Sequence, residues 1–209
     1  MPPETWGTPV NSPRAVVMGL HLINTFLLLG VVALTGAWAG GTQRTTLRQQ
    51  RGLGLLLGVS LVGVVALGVT GAIAALGDTL FPARSLAEGF RQDMAAGAHL
   101  LLRLRVLHPL LAVAVGTLLL ATAGVSAMLR PGRPVRRAAI ALGSLVVLQL
   151  VAGMVNLALL APVWMQLIHL LLADGVWLAT VLLAAAALAD GAARLTVPGL
   201  AEAGSVSAR

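Results

Sequence analysis

Apolar residues run along this chain in five long blocks, at roughly 14–39, 53–76, 99–129, 137–160 and 163–189. Each is as long as or longer than the ~20 residues a helix needs to cross the hydrocarbon of a bilayer. The pattern predicts an all-α integral membrane protein with about five transmembrane helices. The segment before the first block, 1–13, is polar and proline-bearing and lacks the basic start of a cleaved signal peptide. The tail, 190–209, is polar and built of small residues, and is expected to be disordered.

Composition agrees with the pattern. The chain is 58% hydrophobic and only 10% charged, where soluble domains carry about a quarter. Its charge settles topology rather than class. All 14 basic residues are arginine, giving a net charge of +7. They lie mostly between the apolar blocks, and no basic face interleaved with aromatic residues exists for a nucleic acid. Arg44, Arg48 and Arg51 fill the first connection, and Arg130, Arg133, Arg136 and Arg137 the third. The positive-inside rule makes both cytoplasmic, the N-terminus outside and the C-terminus cytoplasmic. The uncharged turn at Ala161 and Pro162 then lies outside. So does the longer second connection, although it carries Arg84 and Arg91. Trp38 and Trp164 fall where interfacial aromatic belts form. The chain has no cysteine, which removes disulfides, iron–sulfur clusters, cysteine-bound zinc and thiolate catalysis.

The second block is rich in glycine, with Gly54, Gly58, Gly63, Gly68 and Gly71. Gly54 and Gly58 form a GxxxG step, read as a site of close helix approach. The same glycines would also leave room for a flat cofactor. The first and last blocks echo each other: a methionine three or four residues before a His-Leu pair, at His21 and at His169, with a proline upstream, Pro13 and Pro162. This echo points to a duplicated bundle.

The histidines carry the functional signal. His21, His108 and His169 lie about six to nine residues into the first, third and fifth blocks. Those three helices run the same way, so at ~1.5 Å per residue the three side chains share a depth, roughly 10 Å below the outer surface. His99 lies nearer that surface. Ionisable groups inside a membrane are costly and mark function by default. Neutral imidazole ligates haem iron or other metals. Three readings stay open: axial haem ligation, a proton relay or transport path, and packing histidines with local hydrogen-bond partners. A non-haem metal site would need carboxylates or thiolates at helical spacing, and none accompany these histidines. Arg103 and Arg105, just outside His108, suit either haem propionates or the headgroup region. Asp174 reads as a proton acceptor or a hydrogen-bonded structural group. Asn24, Gln149 and Asn156 read as interhelical hydrogen-bonding groups, the last two on one face.

Four stretches resemble heme A synthases. Residues 71–82 (GAIAALGDTLFP) resemble a helix exit and outer loop of that family, and 99–109 (HLLLRLRVLHP) its next helix. Residues 159–170 (LLAPVWMQLIHL) resemble its last helix, and 21–29 (HLINTFLLL) its fourth. The resemblance covers about residues 8–189. It implies a four-helix haem-binding bundle at 53–189, preceded by one extra helix, 14–39, as the remnant of a first bundle. Residues 1–13 become an outer segment and 190–209 a cytoplasmic tail. It implies His108 and His169 as axial ligands of haem b, Arg103 and Arg105 as propionate partners, and His21 as a ligand of substrate haem o. The family oxidises a methyl group of haem o to the formyl group of haem a. Its first three helices, with a further histidine and glutamate of the substrate site, have no counterpart in this sequence, and neither does its outer cysteine pair. The resemblance therefore leads us to expect either a fragment or a short form that pairs with a second membrane chain. Expected partners are the lipid bilayer, haem and a haem o synthase, and no nucleic acid. The alternatives are a non-catalytic bis-histidine cytochrome and a haem-free transporter or assembly factor.

Overall fold

The computed structural model describes residues 11–41, 51–95, 97 and 100–189. Most of the segment 1–13, Arg44, Arg48, His99 and the tail 190–209 lie outside the described residues. Six helices follow in order: α1 (Asn11–Ala39), α2 (Arg51–Leu80), α3 (Leu86–Asp93), α4 (Leu100–Leu129), α5 (Arg133–Ala158) and α6 (Val163–Leu188). All but α3 are long and apolar enough to cross a membrane. The protein is an all-α, multi-pass membrane protein.

Four spans form a square. α2 packs along α4, α4 along α5, α5 along α6, and α6 closes against α2. The neighbours α2 and α4 are antiparallel. Gly63 faces Val115, while Gly77, further along α2, faces Leu101, further back along α4. The interior of the square is closely filled. Leu57, Leu119, Leu142 and Leu183 meet there, each at most 2% exposed. A fully buried hydrogen bond of 2.8 Å joins Ser60 to Thr122 across the α2–α4 seam, a satisfied polar pair of the kind that links helices in lipid. At one end Arg130 reaches from α4 to the last carbonyls of α6. Its Nε donates to Ala187 O at 2.9 Å and its Nη2 to Ala189 O at 3.2 Å. A cation at a helix C-terminus satisfies acceptors that have no partner within the helix. Leu55, Val62, Val113 and Leu171 point outward and are more than 60% exposed, as lipid-facing residues must be.

α1 packs against α2 and α6. A Cβ on Gly68 would stand 2.8 Å from Leu22 Cδ2 and 3.0 Å from Phe26 Cε2, so the bare glycine is what lets α1 approach. Phe26 stacks on Trp177 of α6, with ring centres 5.1 Å apart. The GxxxG expectation needs correction. Gly58 has nothing within 4 Å of a Cβ position, so it mediates no close approach among the described residues. That work falls to Gly63, Gly68, Gly71 and Gly77.

The second connection holds the short helix α3. Ser85 caps it by accepting from the Glu88 N–H at 3.2 Å, and the Glu88 carboxylate reaches back to the Arg84 N–H at 3.0 Å. Leu86, Phe90 and Met94 make an exposed apolar stripe along it, the pattern of a helix lying in the membrane interface.

Candidate functional site

His108 stands in α4 and His169 in α6, on the diagonal of the square. Both lie near the end that carries α3 and the α5–α6 turn. Their rings are neighbours across the diagonal in an edge-on arrangement, with centres 6.5 Å apart and planes at 81°. The other diagonal, α2 and α5, backs them. A Cβ on Gly71 would lie 2.8 Å from His108 Cε1, and one on Gly153 would lie 3.2 Å from His169 Cε1. Each imidazole thus rests against a helix that offers no side chain beneath it. Thr70 Oγ1 lies 3.3 Å from His108 Nδ1. Gln149 Nε2 lies 3.2 Å from His169 Nε2.

Local backbone chemistry sets these positions. Pro109 sits inside α4 directly after His108 and removes the N–H that would bond one turn back. Between α5 and α6 the chain reverses through Leu160 (φ 62°) and Ala161 (φ 53°), both in the left-handed region. The Ala161 N–H bonds Asn156 O at 2.8 Å. Gln166 Nε2 donates to Ala161 O at 2.6 Å, tying the first turn of α6 to this reversal. His169 follows one residue short of a turn later, aimed at α5.

Two metal–nitrogen bonds of ~2 Å, plus ~1 Å from each ring nitrogen to its ring centre, put two imidazoles on opposite sides of one metal atom about 6 Å apart. The observed 6.5 Å matches that separation. Among the described residues no three His, Asp or Glu side chains gather as a metal-ion site. A pair of imidazoles is what an iron already held by four porphyrin nitrogens lacks. The α5–α6 wall adds a second sign of fit: His169 Nδ1, Gln149 Oε1 and Asn156 Oδ1 are buried without hydrogen-bond partners. Buried polar atoms are rarely left so.

The other residues singled out in the sequence are placed differently. Arg105 lies one turn nearer the α3 end than His108 and is only 11% exposed, inside a clasp of carboxylates. It pairs with Asp78 of α2 at 3.2 Å and with Asp93 of α3 at 2.7 Å, and its Nη1 also donates to Phe81 O at 3.1 Å. Arg103 is exposed on another face of α4. His21 is exposed on α1, with Asn24 exposed beside it. The contact of Phe26 with Trp177 puts His21 within about a turn of the depth of His169, but it points away from the pair. Asp174 is half-buried, further along α6 than His169. Thr70 and Gly153 drew no notice in the sequence. The signal was there in outline: a polar residue next to a glycine in α2, and four residues before one in α5.

A family model described as cytochrome oxidase assembly protein matches residues 5–181. The chain belongs to this family, that of the heme A synthases. Two Thermus thermophilus proteins, from two strains and both named protoheme IX farnesyltransferase, are each 48% identical to it over 186 residues. The match takes in 89% of this chain and 31% of each relative, so the chain spans about a third of their length. No solved structure matches it. Membership of the heme A synthase family places the chain in haem biosynthesis and agrees with the resemblance carried by the His108 and His169 helices.

Proposed function

We propose that the chain holds haem b between His108 and His169 and serves the oxidation of the haem o methyl group to the formyl group of haem a. The observation that carries this is the pair of imidazoles, from diagonal helices of one bundle, at the separation a shared axial metal requires. Haem b, when bound, supplies one-electron redox chemistry.

The chain's own residues bind, orient and insulate. His108 and His169 would hold the haem iron, one imidazole from each side of the pair. Arg105 is the least exposed arginine at that end among the described residues. It stands as one positive charge between the carboxylates of Asp78 and Asp93, and a propionate reaching the same place would compete with them for the guanidinium. Arg103, being exposed, serves the headgroup region in this reading. The closely filled core beyond the histidines separates them from the other side. The positive-inside rule puts the histidine end outside.

His21 is the proposed contact to substrate haem o. Its exposure, with Asn24 beside it, supports a further membrane element covering that face of α1, since bare polar groups facing lipid are costly. The relatives' name describes farnesyl transfer to protohaem IX. That reaction yields haem o, so a haem o synthase is the proposed supplier of substrate. A second reading, a bis-histidine cytochrome that only carries electrons, draws on the same exposure: no other histidine accompanies His21 among the described residues.

The test is a reduced-minus-oxidised absorption spectrum of the detergent-purified chain, with His108→Ala and His169→Ala alongside. We expect a low-spin haem b spectrum that both substitutions abolish. A wild-type chain with no Soret band despite ample haem would sink the proposal. Conversion of added haem o to haem a, followed by chromatography of extracted haems, separates the enzyme from the electron carrier.

A further inference from the structure

We infer that α2 and α5 each carry a two-residue positioning device, Thr70 with Gly71 and Gln149 with Gly153, which orients the imidazoles of His108 and His169 and tunes them as iron ligands. The inference rests on the haem reading above and extends it to residues that do not touch iron.

The glycines act by absence. Other glycines of the spans face aliphatic side chains, as Gly63 faces Val115 and Gly116 faces Leu150 and Val146, or the aromatic rings that seat α1, as Gly30 and Gly68 do. Gly71 and Gly153 instead face imidazole carbons. At Gly71 a Cβ would be 2.8 Å from Cε1 and 3.4 Å from both ring nitrogens of His108. Real Cβ atoms do not come that close, and the ring is a rigid plate with no flexible end to move aside. At Gly153 the gap to Cε1 is 3.2 Å. A glycine inside a helix costs about 1 kcal/mol relative to alanine, so local helix stability does not call for either one.

The polar partners act on the ring nitrogens. The Thr70 hydroxyl donates to Leu67 O at 2.9 Å, so its remaining capacity toward His108 Nδ1, 3.3 Å away, is as an acceptor. Nδ1 then carries the ring proton, and Nε2 keeps a lone pair for a metal. A ligand histidine oriented through its other nitrogen in this way is also a more basic donor. At the opposite corner, Gln149 Oε1 and His169 Nδ1 are both buried and unpartnered while the Gln149 amide touches His169 Nε2. An amide keeps its outline when turned end for end. Turned, its oxygen accepts from the Nε2–H, the amide NH2 takes the place the oxygen held, and the second ring nitrogen is left with a lone pair. Both histidines then have one nitrogen tied to a neighbouring helix and one bare. The same arrangement, on two different helix pairs, arises from unrelated contacts.

The experiment measures haem occupancy and midpoint potential of the full chain and of Thr70→Val, Thr70→Ser, Gln149→Leu, Gly71→Ala and Gly153→Ala. Valine keeps the shape of threonine and removes the acceptor. We expect Thr70→Val to keep its haem but to shift the ratio of reduced to oxidised form about tenfold toward reduced, ~59 mV for one electron. Thr70→Ser should restore the wild-type value, which a purely structural role would not predict. Gln149→Leu should shift the potential as well. Gly71→Ala should lower haem affinity at least ~10-fold, with Gly153→Ala less severe. If Gly71→Ala fails to fold, the potential of Thr70→Val decides. Wild-type protein that binds haem, with Thr70→Val and Gln149→Leu at the wild-type potential, overturns this inference alone. Wild-type protein that takes up no haem overturns the haem reading beneath it.

Discussion

Trp177 reaches from α6 to the backbone of α1, where its Nε1–H donates to Phe26 O at 2.6 Å while its ring stacks on Phe26. Both residues are at least 94% buried, so the bond forms away from competing water. Trp177→Phe keeps a stacking partner and loses the donor. We expect it to cost about 1 kcal/mol, read as a lower midpoint in unfolding by denaturing detergent. Trp177→Ala, which also opens a cavity, should cost about 3–5 kcal/mol. At this scale the sequence was informative about chemistry and poor about partners. His108 and His169 stand out as candidates by their depth, because burying an ionisable group in lipid is expensive wherever it points. Direction is a tertiary property, so His21, at a similar depth, could not be told apart from them. Gln149 was legible as a group seeking an interhelical bond. That its partner is His169 follows only from how α5 and α6 pack.

Among the elements, the α5–α6 turn stores strain. Ala161, at φ 53°, holds a conformation that costs an L-residue roughly 1–2 kcal/mol. A glycine there would recover that cost and give back about 0.5–1 kcal/mol through a freer unfolded chain. Ala161→Gly should therefore stabilise the protein by about 0.5 kcal/mol and Ala161→Val should destabilise it, in the same unfolding titration. The five spans were legible because hydropathy is a property of the segment alone. Their ends were not. α2 continues to Leu80, beyond the apolar run that ends near residue 76, because Arg105 pairs with Asp78 and binds Phe81 O in a site no linear pattern encodes. α5 starts at Arg133, since Pro134 is tolerated in a first helical turn. α3 was read as loop, being only 8 residues long and amphipathic in a stretch whose charges drew the attention.

At the scale of the molecule, charge is distributed unevenly between the two ends. At the α4–α5 end Arg51, Arg130, Arg133, Arg136 and Arg137 stand with no acidic residue among the described ones beside them, whereas at the α3 end Arg14, Arg84, Arg91, Arg103 and Arg105 are offset by Asp78, Glu88 and Asp93. With the α4–α5 end cytoplasmic, a single cysteine at Ala87 should react with an impermeant maleimide in intact cells, and one at Pro131 only after the membrane is opened. The parent chain has no cysteine, so the background is clean, and the reverse pattern would invert the proposed orientation. One further consequence follows from where the histidine pair sits. Beyond His108, α4 runs on for about 20 residues, ~30 Å at helical rise, through a closely filled and largely apolar core. Electron tunnelling falls off steeply with distance, so a charge held at the histidine level is in practical contact with one aqueous phase only. In the proposed haem reading the bundle is a one-faced electrode, and whatever exchanges electrons with it would come to the α3 side or travel within the neighbouring leaflet.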